Sequence, residues 1–108
     1  MAKLEKTLYG DISTIAKRIE DGIISGSISA SLEDSSDFYL GEAKCCVRVF
    51  ERYSYMGGNR VSLSVTLFQN GNGPVMLSAI TAGGNQAMFW KLNTFGESAF
   101  LDKLRELL

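Results

Sequence analysis

The run from Val61 to Phe68 constrains this chain most, because Val61, Leu63, Val65 and Leu67 alternate with Ser62, Ser64, Thr66 and Phe68. A period of two sends alternate side chains to opposite faces of a strand, one face toward a core and the other toward water. The run lies between Met56-Gly57-Gly58-Asn59 and Asn70-Gly71-Asn72-Gly73-Pro74. Gly and Asn tolerate positive φ, so both segments read as tight turns. Short turns force antiparallel neighbours, since parallel strands need long crossovers. The spacing therefore predicts an antiparallel meander. Before the run, Cys45, Val47 and Val49 share one face of a long strand; after it, Val75, Leu77 and Ala79 continue the alternation. Beyond Ala82-Gly83-Gly84-Asn85, a last strand is expected over Ala87–Thr94, with Met88, Trp90 and Leu92 in phase.

The flanks supply helices. Leu4 and Leu8 oppose Lys3, Glu5, Thr7 and Tyr9 in a short first strand, which Gly10 breaks; Asp11 then offers an N-cap carboxylate. Ile12, Ile15, Ala16, Ile19 and Ile23 recur at helical spacing, predicting a helix of about three turns that ends between Gly22 and Gly26. Ile28, Ala30 and Leu32 alternate with Ser27, Ser29 and Ser31 in a second strand, and Glu33-Asp34-Ser35-Ser36-Asp37 reads as a polar loop. Phe100, Leu101, Leu104 and Leu108 form an amphipathic C-terminal stripe that starts near Gly96 or Ser98. The expected fold is α+β: a twisted antiparallel sheet of roughly five to six strands with two helices on one face. At 108 residues the chain fits one domain, residues 1–108, with a core that needs no metal or disulfide.

Charge and residue usage narrow the function classes. The net charge is −1, which argues against a general nucleic-acid binder. Histidine is absent, so the usual general base and the usual metal ligand are missing together. Cys45 and Cys46 are adjacent and point to opposite faces of a strand, so they are poorly placed to pair with each other, and two thiols without histidine cannot complete a zinc site. No catalytic residue, cofactor or metal is expected. The glycine-rich turns lack the strand-to-helix context and the lysine of a phosphate loop. No apolar run approaches the ~20 residues that span a bilayer, and no signal-peptide pattern opens the chain, so a cytoplasmic location without a membrane partner is expected.

The stretches Gly26–Leu32, Glu51–Tyr55 with Gly57–Leu63, and Asn93–Glu97 resemble those of a small uncharacterised bacterial family over nearly the whole chain. That resemblance implies a bacterial single-domain protein and brings no activity with it. The element order also resembles the TATA-binding-protein repeat and the helix-grip ligand binders, with one more strand than their simplest form; likeness of architecture does not carry function.

Alternation also lists the face that the helices would leave open: Lys44, Cys46, Arg48, Phe50, Arg52 and Ser54, then Arg60, Ser62, Ser64, Thr66 and Phe68, then Met76, Ser78 and Ile80, and finally Phe89, Lys91 and Asn93. Such a face would be basic and aromatic. Three uses fit it: a solvated surface, a homodimer interface, or a binding surface for an anionic small molecule in which Arg48, Arg52, Arg60 and Lys91 supply charge while Phe50, Phe68 and Phe89 stack. Glu51, Tyr53 and Tyr55 fall on the other phase and form a pocket candidate, with Glu51 either a buried base or a rim residue paired with a cation. A non-catalytic interaction domain, self-associating through the open face or a sheet edge, is the leading expectation, with a small-ligand binder as the alternative.

Overall fold

The computed structural model describes residues 1–53, 60–83 and 97–108. Strand β1 (Ala2–Leu8) leads into helix α1 (Ile12–Gly26), followed by β2 (Ser31–Leu40), β3 (Ala43–Tyr53), β4 (Arg60–Asn70) and β5 (Val75–Gly83). A second helix, α2, covers residues 97–105. The strands form one five-stranded sheet in the order β1-β5-β4-β3-β2, antiparallel at every pairing. Between β1 and β2, the outermost of the described strands, the chain passes through α1. The architecture is α+β with the expected element order, and the expected strand over Ala87–Thr94 lies outside the described residues.

Local chemistry accounts for these elements. Asp11 caps α1 by accepting from the Thr14 backbone N–H at 3.0 Å, which satisfies one of the free donors of the first turn. Ile12, Ile15, Ala16, Ile19 and Ile23 form the buried stripe of α1, as their spacing predicts. They meet Phe100, Leu101 and Leu104 of α2 and, from the sheet, Phe50, Val61, Leu63, Val65, Leu67, Val75, Leu77 and Ala79. At Gly22 the C-terminal segment packs closely on α1: a Cβ there would overlap the Leu107 side chain. At the β4–β5 turn Gly71 takes φ 60°, the left-handed region that favours glycine.

Gln69 closes one end of the core. Its Nε2 donates to the Gly10 and Gly73 carbonyls, each at 2.8 Å, and its Oε1 accepts from the Ile12 N–H at 3.2 Å. One buried amide thus joins the β1–α1 turn, the start of α1 and the β4–β5 turn.

Residues 33–37 correct the sequence expectation. They belong to β2, which starts at Ser31 rather than near Ser27 and pairs along its length with β3, with a bulge between Leu32 and Asp34. Ile28 lies in the turn before it, fully exposed. An outer strand beyond the helices' cover has no buried face to impose alternation, and acidic residues suit an edge of the described sheet because charge opposes unwanted pairing. Without alternation such a segment looks like a loop.

Candidate functional site

Cross-strand pairing fixes which side chains share a face, because directly opposed residues of neighbouring strands point the same way. In β3, Cys46 opposes Leu67 and Phe50 opposes Leu63. Both β4 partners are core residues, so Cys46 and Phe50 are core residues too, at 2% and 0% exposed. The phase of β3 is therefore opposite to the one expected. The β4 and β5 phases are as expected. The physical reason is that β3 carries apolar atoms in both phases: Cys45, Val47 and Val49 on one, and on the other Cys46, Phe50 and the aliphatic stems of Lys44, Arg48 and Arg52, which cover apolar surface while their heads reach polar partners.

This inversion removes Arg48, Phe50 and Arg52 from the open face. Arg48 lies on the helix-covered side, where its Nε donates to Glu20 Oε1 at 2.5 Å and its Nη1 to Asp37 Oδ1 at 2.8 Å, joining α1, β3 and β2. Hydrogen bonding to Asp37, with Glu20 adding to it, raises the guanidinium pKa further above its ordinary value, and the Arg48 hydrogen bond holds the Asp37 carboxyl below its own. Burial, with Asp37 adding to it, pushes the Cys46 thiol up, so it stays protonated at neutral pH. Arg52 donates from Nη1 to Ser27 Oγ at 2.9 Å and lies over the Phe100 ring at 4.6 Å. Its Nε is buried without a partner among the described residues, and desolvation lowers its pKa.

Arg60 and Phe68 do stand on the open face. Arg60 is neutralised there: its Nη2 lies 2.7 Å from Glu51 Oε1 and 3.7 Å from Glu33 Oε2, and its guanidinium is 5.7 Å from the centre of the Tyr53 ring. Glu51, expected beneath the helices, is instead on this open side, as the rim residue paired with a cation. It borders a shallow hollow of about 250 Å³ with Arg60, Ser62, Ala82 and Gly83. Tyr53 is exposed beside it. Ser54, Tyr55, Phe89, Lys91 and Asn93 lie outside the described residues.

Three successive rows cross the open face. The first is Thr7–Met76–Phe68–Cys45–Phe38, one residue from each strand. The next is Glu5–Ser78–Thr66–Val47–Ser36, and the third Lys3–Ile80–Ser64–Val49–Asp34. The first row is apolar from β5 to β2, with Phe38 at 60%, Phe68 at 45% and Met76 at 51% exposed and Cys45 half-buried between them. It runs on into exposed Leu40 at the β2–β3 turn. Two hollows flank Phe68: one of about 360 Å³ toward Thr7 and Met76, and one of about 240 Å³ among Phe38, Leu40, Ala43 and Cys45. No described element covers this face. Phe38 was absent from the sequence-predicted site because the segment before it looks like a loop; the signal that could have found it is the alternation of Phe38 and Leu40 leading into Cys45 across Gly41-Glu42.

No described helix is long and apolar enough to cross a membrane. Over residues 1–108 the sequence matches a family of unknown function, DUF6054, and the chain belongs to that family. No curated protein and no solved structure matches it.

Proposed function

We propose that this member of DUF6054 is a non-catalytic interaction domain that works through the helix-free face of its sheet. What carries this is the apolar row from Met76 through Phe68 and Cys45 to Phe38, crossing four adjacent strands. Scattered apolar residues are ordinary on a protein surface, but a contiguous exposed row marks a contact surface. The rows beside it are rich in Ser and Thr, so the apolar band stands out from its surroundings. The anionic-ligand alternative has lost Arg48 and Arg52 to the covered side, and Arg60 is already engaged by two carboxylates. A catalytic role has little to draw on: the chain has no histidine, and Glu51 is ion-paired. The proposal includes a bacterial cytoplasmic setting, which suits two cysteines that are both free thiols.

Site-specific photo-crosslinking in the native host tests this. A photoreactive phenylalanine analogue in place of Phe68 is expected to give an adduct of defined mass, and the same analogue in place of Arg18, on the outer face of α1, is expected to give none. Equal diffuse labelling from both positions, or none from position 68, would sink the proposal.

A further inference from the structure

We infer that the occupant of this face is a second copy of the chain, packed sheet to sheet about a twofold axis that runs along β4. The inference rests on the open face being an interaction surface. It follows from how the rows map onto themselves. β4 is the middle strand of the five. A half-turn about an axis parallel to it lays every cross-strand row over its own counterpart in reverse order. The apolar row then sets Phe68 on the second copy's Phe68 and Met76 over the second copy's Cys45, so that the two hollows beside Phe68 face each other and fill with apolar side chains. The row Lys3–Ile80–Ser64–Val49–Asp34 sets Lys3 over the second copy's Asp34, and the symmetric contact repeats at the other rim. Between them, Glu5 falls over Ser36 and Ser78 over Val47. No like charges meet in these three rows; Arg60, on β4, comes to lie near the second copy's Arg60, where each is paired with Glu51 and Glu33 of its own copy.

Area and edge chemistry point the same way. All five strands, about 4.8 Å apart, overlap only over the seven residues of β1 at about 3.3 Å each, a flat footprint of about 550 Å² to which side-chain relief adds accessible area. A stable interface needs about 800 Å² of accessible surface from each partner, so the dimer must use the whole face. The β2 edge is a poorer contact: antiparallel self-pairing about its midpoint would set Asp34 opposite Asp37.

Sedimentation equilibrium of the purified chain from about 1 μM to about 500 μM tests the inference, a range that brackets ordinary self-association. The expected species is a dimer of the 11.8 kDa chain. Phe68→Arg should weaken it by at least about a hundredfold, as removal of a central anchor does. Lys3→Asp should weaken it about fivefold, and Lys3→Asp combined with Asp34→Lys should restore it, since the swapped charges again oppose each other. Circular dichroism checks that Phe68→Arg still folds, with Phe68→Ser as the replacement if it does not. A chain that stays monomeric throughout overturns the second copy while leaving the face open to a different partner, which the adduct mass from position 68 would reveal. A dimer indifferent to both Phe68 variants overturns the inference and counts against the face itself. A dimer that Phe68→Arg splits, but that the charge swap fails to restore, overturns the twofold arrangement.

Discussion

Phe50 and Phe68 stand on adjacent strands of one sheet, yet Phe50 is sealed at 0% exposed beneath the helices and Phe68 is 45% exposed on the other side. The covered face also holds the arginines Arg48 and Arg52, whereas the open face between its apolar row and Arg60 is lined by Ser62, Ser64, Thr66 and Ser78. Polarity alone would rank the two faces in β3 the wrong way round. What covers a strand decides its inner side: long cations belong inside when a helix lays carboxylates and aromatic rings over their heads, as Glu20 does for Arg48 and Phe100 for Arg52.

Substituting the two phenylalanines tests that contrast directly. Phe50→Ala should cost about 3–5 kcal/mol, because it removes a large buried side chain and leaves a cavity between α1 and the sheet. Phe68→Ala should cost the isolated protomer less than about 1 kcal/mol, as a half-exposed position does. Urea unfolding at equal, low protein concentration measures both. Equal losses would erase the distinction between the faces.

A smaller effect sharpens the same contrast for polar groups. Gln69→Leu keeps the site apolar but strands the Ile12 N–H and the Gly10 and Gly73 carbonyls, which Gln69 pairs at the closed end of the core. The expected loss is about 2–3 kcal/mol, the scale of buried groups left unsatisfied. On the open face, Ser62 Oγ donates to the Ala82 carbonyl at 3.4 Å. Ser62→Ala should change stability by less than about 0.5 kcal/mol. Comparable losses from the two would mean that the open face is as thoroughly sealed as the covered one.

How far the sequence could be read follows the same physics. β4 declares both its strand and its phase, because its inward positions from Val61 to Leu67 are all Val or Leu and the ones between and after them are Ser or Thr until Phe68. The Ile stripe of α1 and the Asp11 cap are equally legible, since periodicity and capping are local. β3 is not legible alone, for Cys45, Val47 and Val49 imitate a core stripe that pairing with β4 overrules. β2 is hidden because its residues obey pairing rather than burial. The candidate site inherited the β3 inversion: Arg60 and Phe68 kept their face, Arg48, Phe50 and Arg52 changed it, and Phe38 entered from a segment whose polarity looked like a loop.

The smallest effect concerns the charged margin of the covered face. Asp37 accepts from Arg48 at 2.8 Å, and that hydrogen bond, with help from Cys46 and the Lys44 and Arg48 charges, holds its carboxyl below the ordinary 3.8. A carboxylate whose folded pKa is depressed stabilises the fold fully above its unfolded value and loses that contribution as pH falls through the folded one. With the Asp37 side chain 38% exposed, solvent screening limits the contribution to a few tenths up to about 1 kcal/mol. Asp37→Asn should therefore be slightly less stable than the parent at pH 7. The gap should begin to close as pH falls through about 4, where the unfolded carboxyl takes up its proton, and finish closing at the lower pH where the folded carboxylate does. Urea midpoints of the two proteins across that range decide it. A gap unchanged at low pH would mean that Asp37 acts through its fit against Arg48 and Cys46, and that the margin of the covered face is held by packing rather than by charge.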